Sequence, residues 1–186
     1  MNFVYGEVKK LQDGRYFSKV SQEDGKRHTR QLNNVVLRSK FAECDNIIVD
    51  VSSCGDIFDE YKARIIEAAT ENSEKWFQKS LNPKTIEAAF DNPVSQDGEI
   101  TMSKIRQNVP VFDHTKSPIN PEDVPEDTMC NVILEFTGLV FMKKSFSAVW
   151  RIAQVKLKSP PKPKSYAEYM FEDEEEPEDP EDDDFE

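Results

Sequence analysis

The sequence predicts a mainly β fold: a small antiparallel β-barrel with an inserted helix, followed by a disordered acidic C-terminal tail. Short runs rich in β-branched and aromatic residues fill 3–51 and 130–158, and an apolar period typical of a helix lies between them. Residues 172–186 contain 12 acids among 15 residues. A chain of 186 residues is long enough for one domain with additional segments.

Four short strands are predicted in residues 3–51. The runs FVYGEV, RYFSKV, QLNNVVLR and NIIVDV are rich in the residue types that favour strands. Breaks that contain Gly and Asp separate the first three runs, at 12–14 and 22–26. The pattern therefore indicates strands joined by turns, of which the second is a polar hairpin loop.

A helical insertion is predicted over 56–90. Its apolar residues recur every three or four positions, which places them on one face of a helix: Ile57, Tyr61, Ile65 and Ala68. The Asn-Pro pair at 82–83 ends this helix, because proline disfavours helical geometry in the residue before it. Residues 84–90 are predicted to form a second short helix. The adjacent rings of Trp76 and Phe77 are expected to cover the core, with a stacking or dimer contact as the alternative.

The segment 130–158 predicts a β-hairpin. Its two strands, about 132–142 and 146–157, flank a short basic connection at 143–145. Gly138 in the middle of the first strand indicates a bulge or sharp bend, which small barrels need at their corners. With five or more short strands and one inserted helix, an OB-fold is the natural candidate. The strand pattern also fits another antiparallel barrel or a sandwich.

The predicted barrel occupies 1–158 and is followed by two segments of biased composition. A linker rich in proline and lysine, 159–170, is expected to be extended and stiff. An acidic tail, 171–186, cannot bury a core and is expected to be disordered. Residues 168–186 carry 13 acids and no base, so residues 1–167 retain 23 of the 36 acids and all 24 Lys and Arg. The net charge of -12 therefore resides in the tail, and the body is close to neutral.

The sequence contains no pattern typical of an enzyme, and we predict no catalytic residue. It lacks the phosphate-binding loop, the dinucleotide-binding glycines, the metalloprotease helix and the nucleophile elbow. Cys54 precedes the helix, but no patterned histidine is present to activate it. The three cysteines and two histidines are widely spaced, so we expect neither a metal site nor a cofactor. The thiols are expected to be buried, in a reducing compartment.

No membrane association is expected either. The sequence has no run of 18 apolar residues, and its longest apolar stretch, 132–142, is interrupted by Glu135. The first residues, MNFVYGEVKK, do not have the basic and then apolar pattern of a signal peptide.

An acid-free interval between Glu135 and Glu168 combines seven basic residues with several aromatic rings. Single-stranded nucleic acid needs this combination, because cations follow the phosphates and flat rings stack on bases of any identity. We therefore predict a binding face for single-stranded DNA in this hairpin, formed by Phe141, Lys143, Lys144, Phe146, Trp150, Arg151 and Lys156. Because alternate side chains of a strand face the core, core packing is the competing interpretation for each ring.

The acidic tail is the second candidate functional segment. Its residues Asp182, Asp183, Asp184 and Phe185 are predicted to contact partner proteins, because a lone phenylalanine among acids does not help solubility. A flexible polyanion can also occupy the basic face of its own protein and compete with DNA. The competing interpretation is a charge run that only keeps the protein soluble.

The arrangement resembles the OB-fold single-stranded DNA-binding proteins of nucleocytoplasmic large DNA viruses. The resemblance lies in the hairpin pattern CxVILEFxGLxFxxxSFxxxWxxxQVKxK, in the proline linker and in the acidic tail with Phe185, with weaker support from KWFQK at 75–79. The plan is also similar to that of the short-tailed phage replication protein that ends in an acidic run and an aromatic residue. Here Glu186 follows the aromatic residue, which the phage plan does not have.

The resemblance implies a function. Such a protein coats single-stranded DNA during viral DNA replication, recombination or repair. It further implies contacts with replication proteins through the tail, homodimer formation, and a location at the viral replication site of the infected host cell, in cytoplasm or nucleus. Two other functions stay open at this point: an acidic-tailed chaperone for basic proteins, and a virion structural protein. A chaperone has no need for the acid-free hairpin, and a structural protein would not bind nucleic acid.

Overall fold

A computed structural model describes residues 3–158, and within them the chain is mainly β, with nine strands and three helices. The strands are β1 (Val4–Lys10), β2 (Tyr16–Ser21), β3 (His28–Leu37), β4 (Asn46–Asp50), β5 (Glu99–Lys104), β6 (Val111–Phe112), β7 (Pro118–Ile119), β8 (Thr128–Phe141) and β9 (Phe146–Leu157). The helices are α1 (Gly55–Glu71), α2 (Ser73–Phe77) and α3 (Pro83–Ala89). The predicted fold class, mainly β with an inserted helical region, is confirmed.

Five of the strands close into a barrel. β3 pairs with β4, β4 with β5, β5 with β9, β9 with β8, and β8 returns to β3. Numbered along the chain, the barrel strands follow the order 1-2-3-5-4-1, which is the Greek-key order of an OB-fold. Closure excludes the sandwich that the sequence left open. The OB-fold-like prediction is confirmed.

One pair in the barrel is parallel, which the predicted antiparallel barrel did not include. β5 and β9 run in the same direction, with Ser103 opposite Arg151. A closed ring of five strands cannot alternate direction at every step, because five is odd. At least one parallel pair is therefore required, and here it closes the barrel.

The sheet continues beyond the barrel on both sides. β2 pairs with the second half of β8, where Tyr16 lies opposite Phe141, and β1 pairs with β2 as an edge strand. On the other side β6 pairs with β9 and β7 pairs with β6. β8 therefore changes partners along its length, since its first half pairs with β3 and its second half with β2.

Gly138 lies where β8 changes partners, and the register between β8 and β9 shifts at this point. A Cβ atom at this position would lie 2.2 Å from the carbonyl oxygen of Ser18 and 2.6 Å from the ring of Phe17, both on β2. No side chain fits in that space, so β2 can approach β8 only because residue 138 is glycine. The bulge predicted at this glycine is therefore present.

The first helix covers one side of the barrel. Phe58, Tyr61, Ile65 and Ala69 are its buried residues, whereas the sequence predicted a face that included Ile57 and Ala68, which are only half-buried. The two faces share Tyr61 and Ile65, and the observed face is rotated by about one residue. The rotation brings Phe58 and Tyr61 against Trp150 of β9.

All three cysteines lie within the described residues. Cys54 and Cys130 are buried and Cys44 is half-buried, and burial raises the pKa of the Cys130 thiol to about 12. Across residues 3–158, no helix has both the length and the hydrophobicity to cross a bilayer. Within the same residues, no group of three or more His, Cys, Asp or Glu is placed to bind a metal ion. The linker and tail, 159–170 and 171–186, lie outside the described residues.

His28 is expected to make the stability of the barrel depend on pH. It is 2% exposed, its Nε2 atom contacts the Tyr61 hydroxyl, and its Nδ1 atom is buried without a hydrogen-bond partner among the described residues. Burial, with smaller contributions from Arg30 and Arg64, lowers the pKa of this imidazole. The unfolded chain therefore takes up a proton first as the pH falls. We expect the free energy of unfolding to decrease below about pH 6.5, by at most about 1.4 kcal/mol per pH unit.

Denaturant unfolding at pH 7.5, 6.5 and 5.5 measures this dependence. His28→Gln should flatten it, whereas the same substitution at the exposed His114 should leave it unchanged. If the wild-type protein were equally stable at the three pH values, His28 would not be held neutral in the folded state.

Candidate nucleic-acid interface

The three aromatic residues predicted to contact DNA are core residues. Phe141, Phe146 and Trp150 are 6%, 0% and 4% exposed. Alternate side chains of β9 point into the barrel, and this inward set begins with Phe146 and includes Ala148, Trp150 and Ile152. The prediction that these rings stack on bases is therefore wrong, and the competing interpretation, core packing, is correct for all three.

The four predicted basic residues lie on the surface but not in one place. Lys143 and Lys144 occupy the β8–β9 turn and are exposed; the backbone N–H of Met142 donates to the carbonyl of Ser145 across this turn, at 2.8 Å. Arg151 is exposed on the outer face of β9. Lys156 is half-buried farther along β9, opposite Asn131 of β8 and Phe112 of β6. The two turn lysines thus share a site, and the other two lie along a different surface.

A groove lies between the β8–β9 turn and α2, and we call it the lysine groove. Its volume is about 580 Å³. Two pairs of lysines line it, Lys143 and Lys144 from the turn and Lys75 and Lys79 from α2 and the residues after it. The remaining lining residues are Val8, Tyr16, Trp76, Phe77, Gln78, Leu81, Thr85, Ile86, Ala89, Phe141, Met142 and Ser145. None of the described residues that line the groove is acidic, so they give it a formal charge of +4.

Two aromatic side chains anchor α2 against the hairpin. Trp76 is 7% exposed and contacts the rings of Tyr5 and Phe141, with centroids 5.0 and 5.6 Å apart. Phe77 contacts the rings of Phe141 and Phe146, at 5.7 and 5.4 Å. Lys75 and Lys79 flank these anchors in the sequence, so the packing of the rings brings both lysines to the groove.

The four groove lysines form no ion pair with a described residue. The lysines within residues 3–158 that do form ion pairs are Lys26, Lys40 and Lys62. Positive charges that converge without a carboxylate partner attract an anion, and a polyanion gains most from them because it can contact several at once.

Lys75 and Lys79 were not among the predicted site residues. The sequence predicts that the rings of the run KWFQK at 75–79 cover the core. The available signal is the combination of two bases and two rings within five residues, because grooves that bind single strands combine cations with aromatic rings. The sequence alone does not show that this run lies beside the β8–β9 turn, which follows more than 60 residues later.

A shallow trough lies on the outer face of β4, β5 and β9. Its volume is also about 580 Å³, and it is lined by Arg15, Asn46, Ile48, Pro93, Ser95, Glu99, Ile100, Thr101, Ser103, Ser147, Ala148, Val149 and Trp150. Its charged lining residues are one base, Arg15, and one acid, Glu99, and Arg15 forms an ion pair with Asp13. In OB-folds this face, with the adjoining loops, binds oligonucleotides and oligosaccharides. Arg15 lines the trough, and the next residue, Tyr16, lines the lysine groove.

Residues 33–173 match the model of a protein family described as a family of unknown function (DUF5871). The chain belongs to this family. All four groove lysines lie within the DUF5871 segment, whereas β1 and β2 precede it. No curated protein sequence matches the chain.

Solved structures of one phage protein are similar in fold to this DUF5871 member. The single-stranded DNA-binding protein from bacteriophage Enc34, in complex with ssDNA, is 12% identical with a TM-score of 0.47, and the match covers 86% of this chain and 97% of that chain. A C-terminal truncation of the same phage protein gives the same values. A third structure of it is 11% identical with a TM-score of 0.44, over 88% of this chain and 94% of that chain.

Proposed function

We propose that this protein binds single-stranded DNA through the lysine groove. The observation that carries the proposal is the convergence of four lysines, none of them in an ion pair with a described residue, in a groove that no described acidic residue lines. Each lysine that contacts a phosphate releases condensed counterions, which makes binding strong at low salt and tolerant of sequence. The groove includes the β8–β9 turn, which corresponds to the last barrel loop of an OB-fold.

The charge of α1 argues for a single strand and against a duplex read by a helix. A helix that enters the major groove carries basic residues on its exposed face. α1 contains five acids and two bases, Lys62 and Arg64, and Arg64 pairs with Glu60. α2 has only five residues and is anchored through Trp76 and Phe77. A flexible single strand, in contrast, can follow a basic groove while its bases remain unpaired.

Fluorescence anisotropy with labelled oligo-dT tests the proposal. The full-length protein is titrated at 50 and 200 mM monovalent salt against the oligonucleotide and against a duplex of equal length. We expect salt-sensitive binding that is tighter for the single strand. Absence of binding to oligo-dT at 50 mM salt would refute the proposal and favour an acidic-tailed chaperone for basic proteins or a virion structural protein. In that case the next experiment would test whether the acidic tail binds basic proteins.

We further propose that residues 171–186 compete with DNA for the groove. The tail residues Asp182, Asp183, Asp184 and Phe185 lie outside the described residues, and the proposal rests on opposite charges: 12 acids in 172–186 and +4 in the groove. A chain that ends at Met170 should bind oligo-dT about tenfold more tightly at 50 mM salt, or by about 1.4 kcal/mol. Anisotropy titrations of the two chains measure the difference.

Salt dependence controls this experiment. The difference in affinity between the two chains should shrink at 200 mM salt, because screening weakens the attraction of the groove for both the tail and the DNA. Equal affinity of the two chains at 50 mM salt would show that the tail does not compete.

The biological setting that follows is also a proposal. The protein would coat single strands during viral DNA replication, recombination or repair, at the viral replication site in the cytoplasm or nucleus of the infected cell. Phe185 and its acidic neighbours would then recruit replication proteins when DNA occupies the groove, and the protein would act as a homodimer without catalytic activity.

A further inference from the structure

Tyr16 differs from every other aromatic residue within 3–158. It is 46% exposed, whereas the other rings in this part of the chain are buried or half-buried. No described aromatic ring packs against it. A single exposed ring is common on a protein surface, but this ring lies on a basic groove, where a flat ring can stack on a base.

The position of Tyr16 on β2 directs its ring to the lysine groove, which it lines. β2 is paired on both sides here, with Lys10 of β1 and Phe141 of β8 directly opposite Tyr16. Residues directly opposite in an antiparallel pair point to the same face of the sheet. Tyr16 therefore lies on the face of Phe141, a groove residue, and Lys10 places a further positive charge beside it.

The other aromatic rings that line the groove pack against neighbouring rings of the core. Trp76 and Phe141 are 7% and 6% exposed, and Phe77 packs edge-on against two rings of the hairpin. None of them presents a free face to a ligand without leaving its partners. Tyr16 alone, among the described lining residues, combines an aromatic ring with high exposure.

We infer that Tyr16 stacks on one base of a single strand whose flanking phosphates are bound by the groove lysines. This inference rests on the proposed function and adds to it the group that recognises a base. A stacked ring requires an unpaired base and accepts any base, because every base has a flat face. It gives the groove a preference for single strands that charge alone does not supply.

Substitution of Tyr16 tests the inference with oligo-dT and anisotropy. Tyr16→Ala and Tyr16→Ile should each weaken binding about tenfold, whereas Tyr16→Phe should bind like the wild type, because stacking needs the ring and not the hydroxyl. Isoleucine retains the strand preference of this position, so a loss shared by both variants does not come from the backbone. Met129→Ala, at a site 50% exposed on β8 and outside the groove, is the matched control and should leave affinity unchanged.

Two further measurements distinguish base stacking from an effect of charge. The salt dependence of Tyr16→Ala should equal that of the wild type, because no phosphate contact is removed. On an oligonucleotide of abasic sites, the wild type and Tyr16→Ala should bind equally, because the stacking partner is missing from both complexes. A tenfold difference that persisted on the abasic strand would refute base stacking.

The outcomes distinguish this inference from the proposed function. If lysine variants lose affinity and Tyr16→Ala does not, the groove binds the strand but Tyr16 does not stack, and the inference is overturned alone. If neither kind of variant changes affinity, the site lies elsewhere and both fail.

Discussion

Replacing Trp150 with alanine is expected to destabilise the protein by about 3–5 kcal/mol, the usual cost of removing a buried aromatic side chain. The ring is 4% exposed and lies between the helix and the barrel, with centroids 4.7 Å from Tyr61, 5.0 Å from Phe136 and 5.6 Å from Phe58. Removal of the indole would leave a cavity between these three rings, which they could not fill by moving toward one another. Thermal unfolding should show a midpoint lower by about 10 °C.

Trp150→Phe is the control, because it retains a ring in the cavity and should cost less than half as much. The folded Trp150→Phe protein should bind oligo-dT like the wild type, since the indole is buried and does not line the lysine groove. If Trp150→Ala were as stable as the wild type but lost DNA binding, the side chain would belong to the interface and the placement in the core would be wrong.

Neutralising all four groove lysines should have the largest effect on DNA binding. Each phosphate contact with a single strand releases about 0.7 counterion, which corresponds to about fivefold in affinity at 0.1 M salt. Lys143→Gln with Lys144→Gln should therefore weaken binding about 25-fold. Addition of Lys75→Gln and Lys79→Gln should bring the loss to about 600-fold and reduce the salt slope by about 2.8. Anisotropy titrations over a series of salt concentrations measure both quantities.

The matched control removes the same kind of charge elsewhere. Lys40→Gln with Lys62→Gln changes one exposed and one half-buried lysine, which are paired with Glu43 and Glu87 and do not line the groove. This variant should bind within about twofold of the wild type, the difference expected from net charge alone. An equal loss in both double variants would mean that only overall charge matters, and the groove would not be the site.

The sequence predicted the barrel because its signals are local. Alternation, turn residues and the mid-strand glycine each act over a few positions, and the structure contains a strand, a turn or a bulge where they occur. Closure could not be predicted, since it depends on β5 meeting β9 across the Ser103–Arg151 pair, 48 residues apart in the chain. The parallel direction of that pair follows from the odd number of strands and not from any residue type.

The site was predicted only in part, for a reason that lies in the hairpin itself. Both faces of β9 carry apolar residues, so alternation separates Phe146 and Trp150 from Val149 and Val155 without saying which set faces inward. The register shift at Gly138 also moves the pairing between β8 and β9. Lys143 and Lys144 could be predicted, because the residues of a turn are exposed whichever faces of its two strands are buried. Lys75 and Lys79 were not found, because their place depends on packing between distant segments.

The parallel seam of the barrel also determines when the protein can fold. During synthesis β3, β4 and β5 are made first, and β3 must wait about 100 residues for β8, as the pairing of Val35 with Cys130 shows. Until β8 and β9 have emerged, the edges of β3 and β5 and the apolar interior between them face water. Long-range pairing of this kind folds slowly, and open edges promote aggregation. We therefore expect a chain that ends before Phe146 to aggregate, because it lacks β9 and cannot close the barrel.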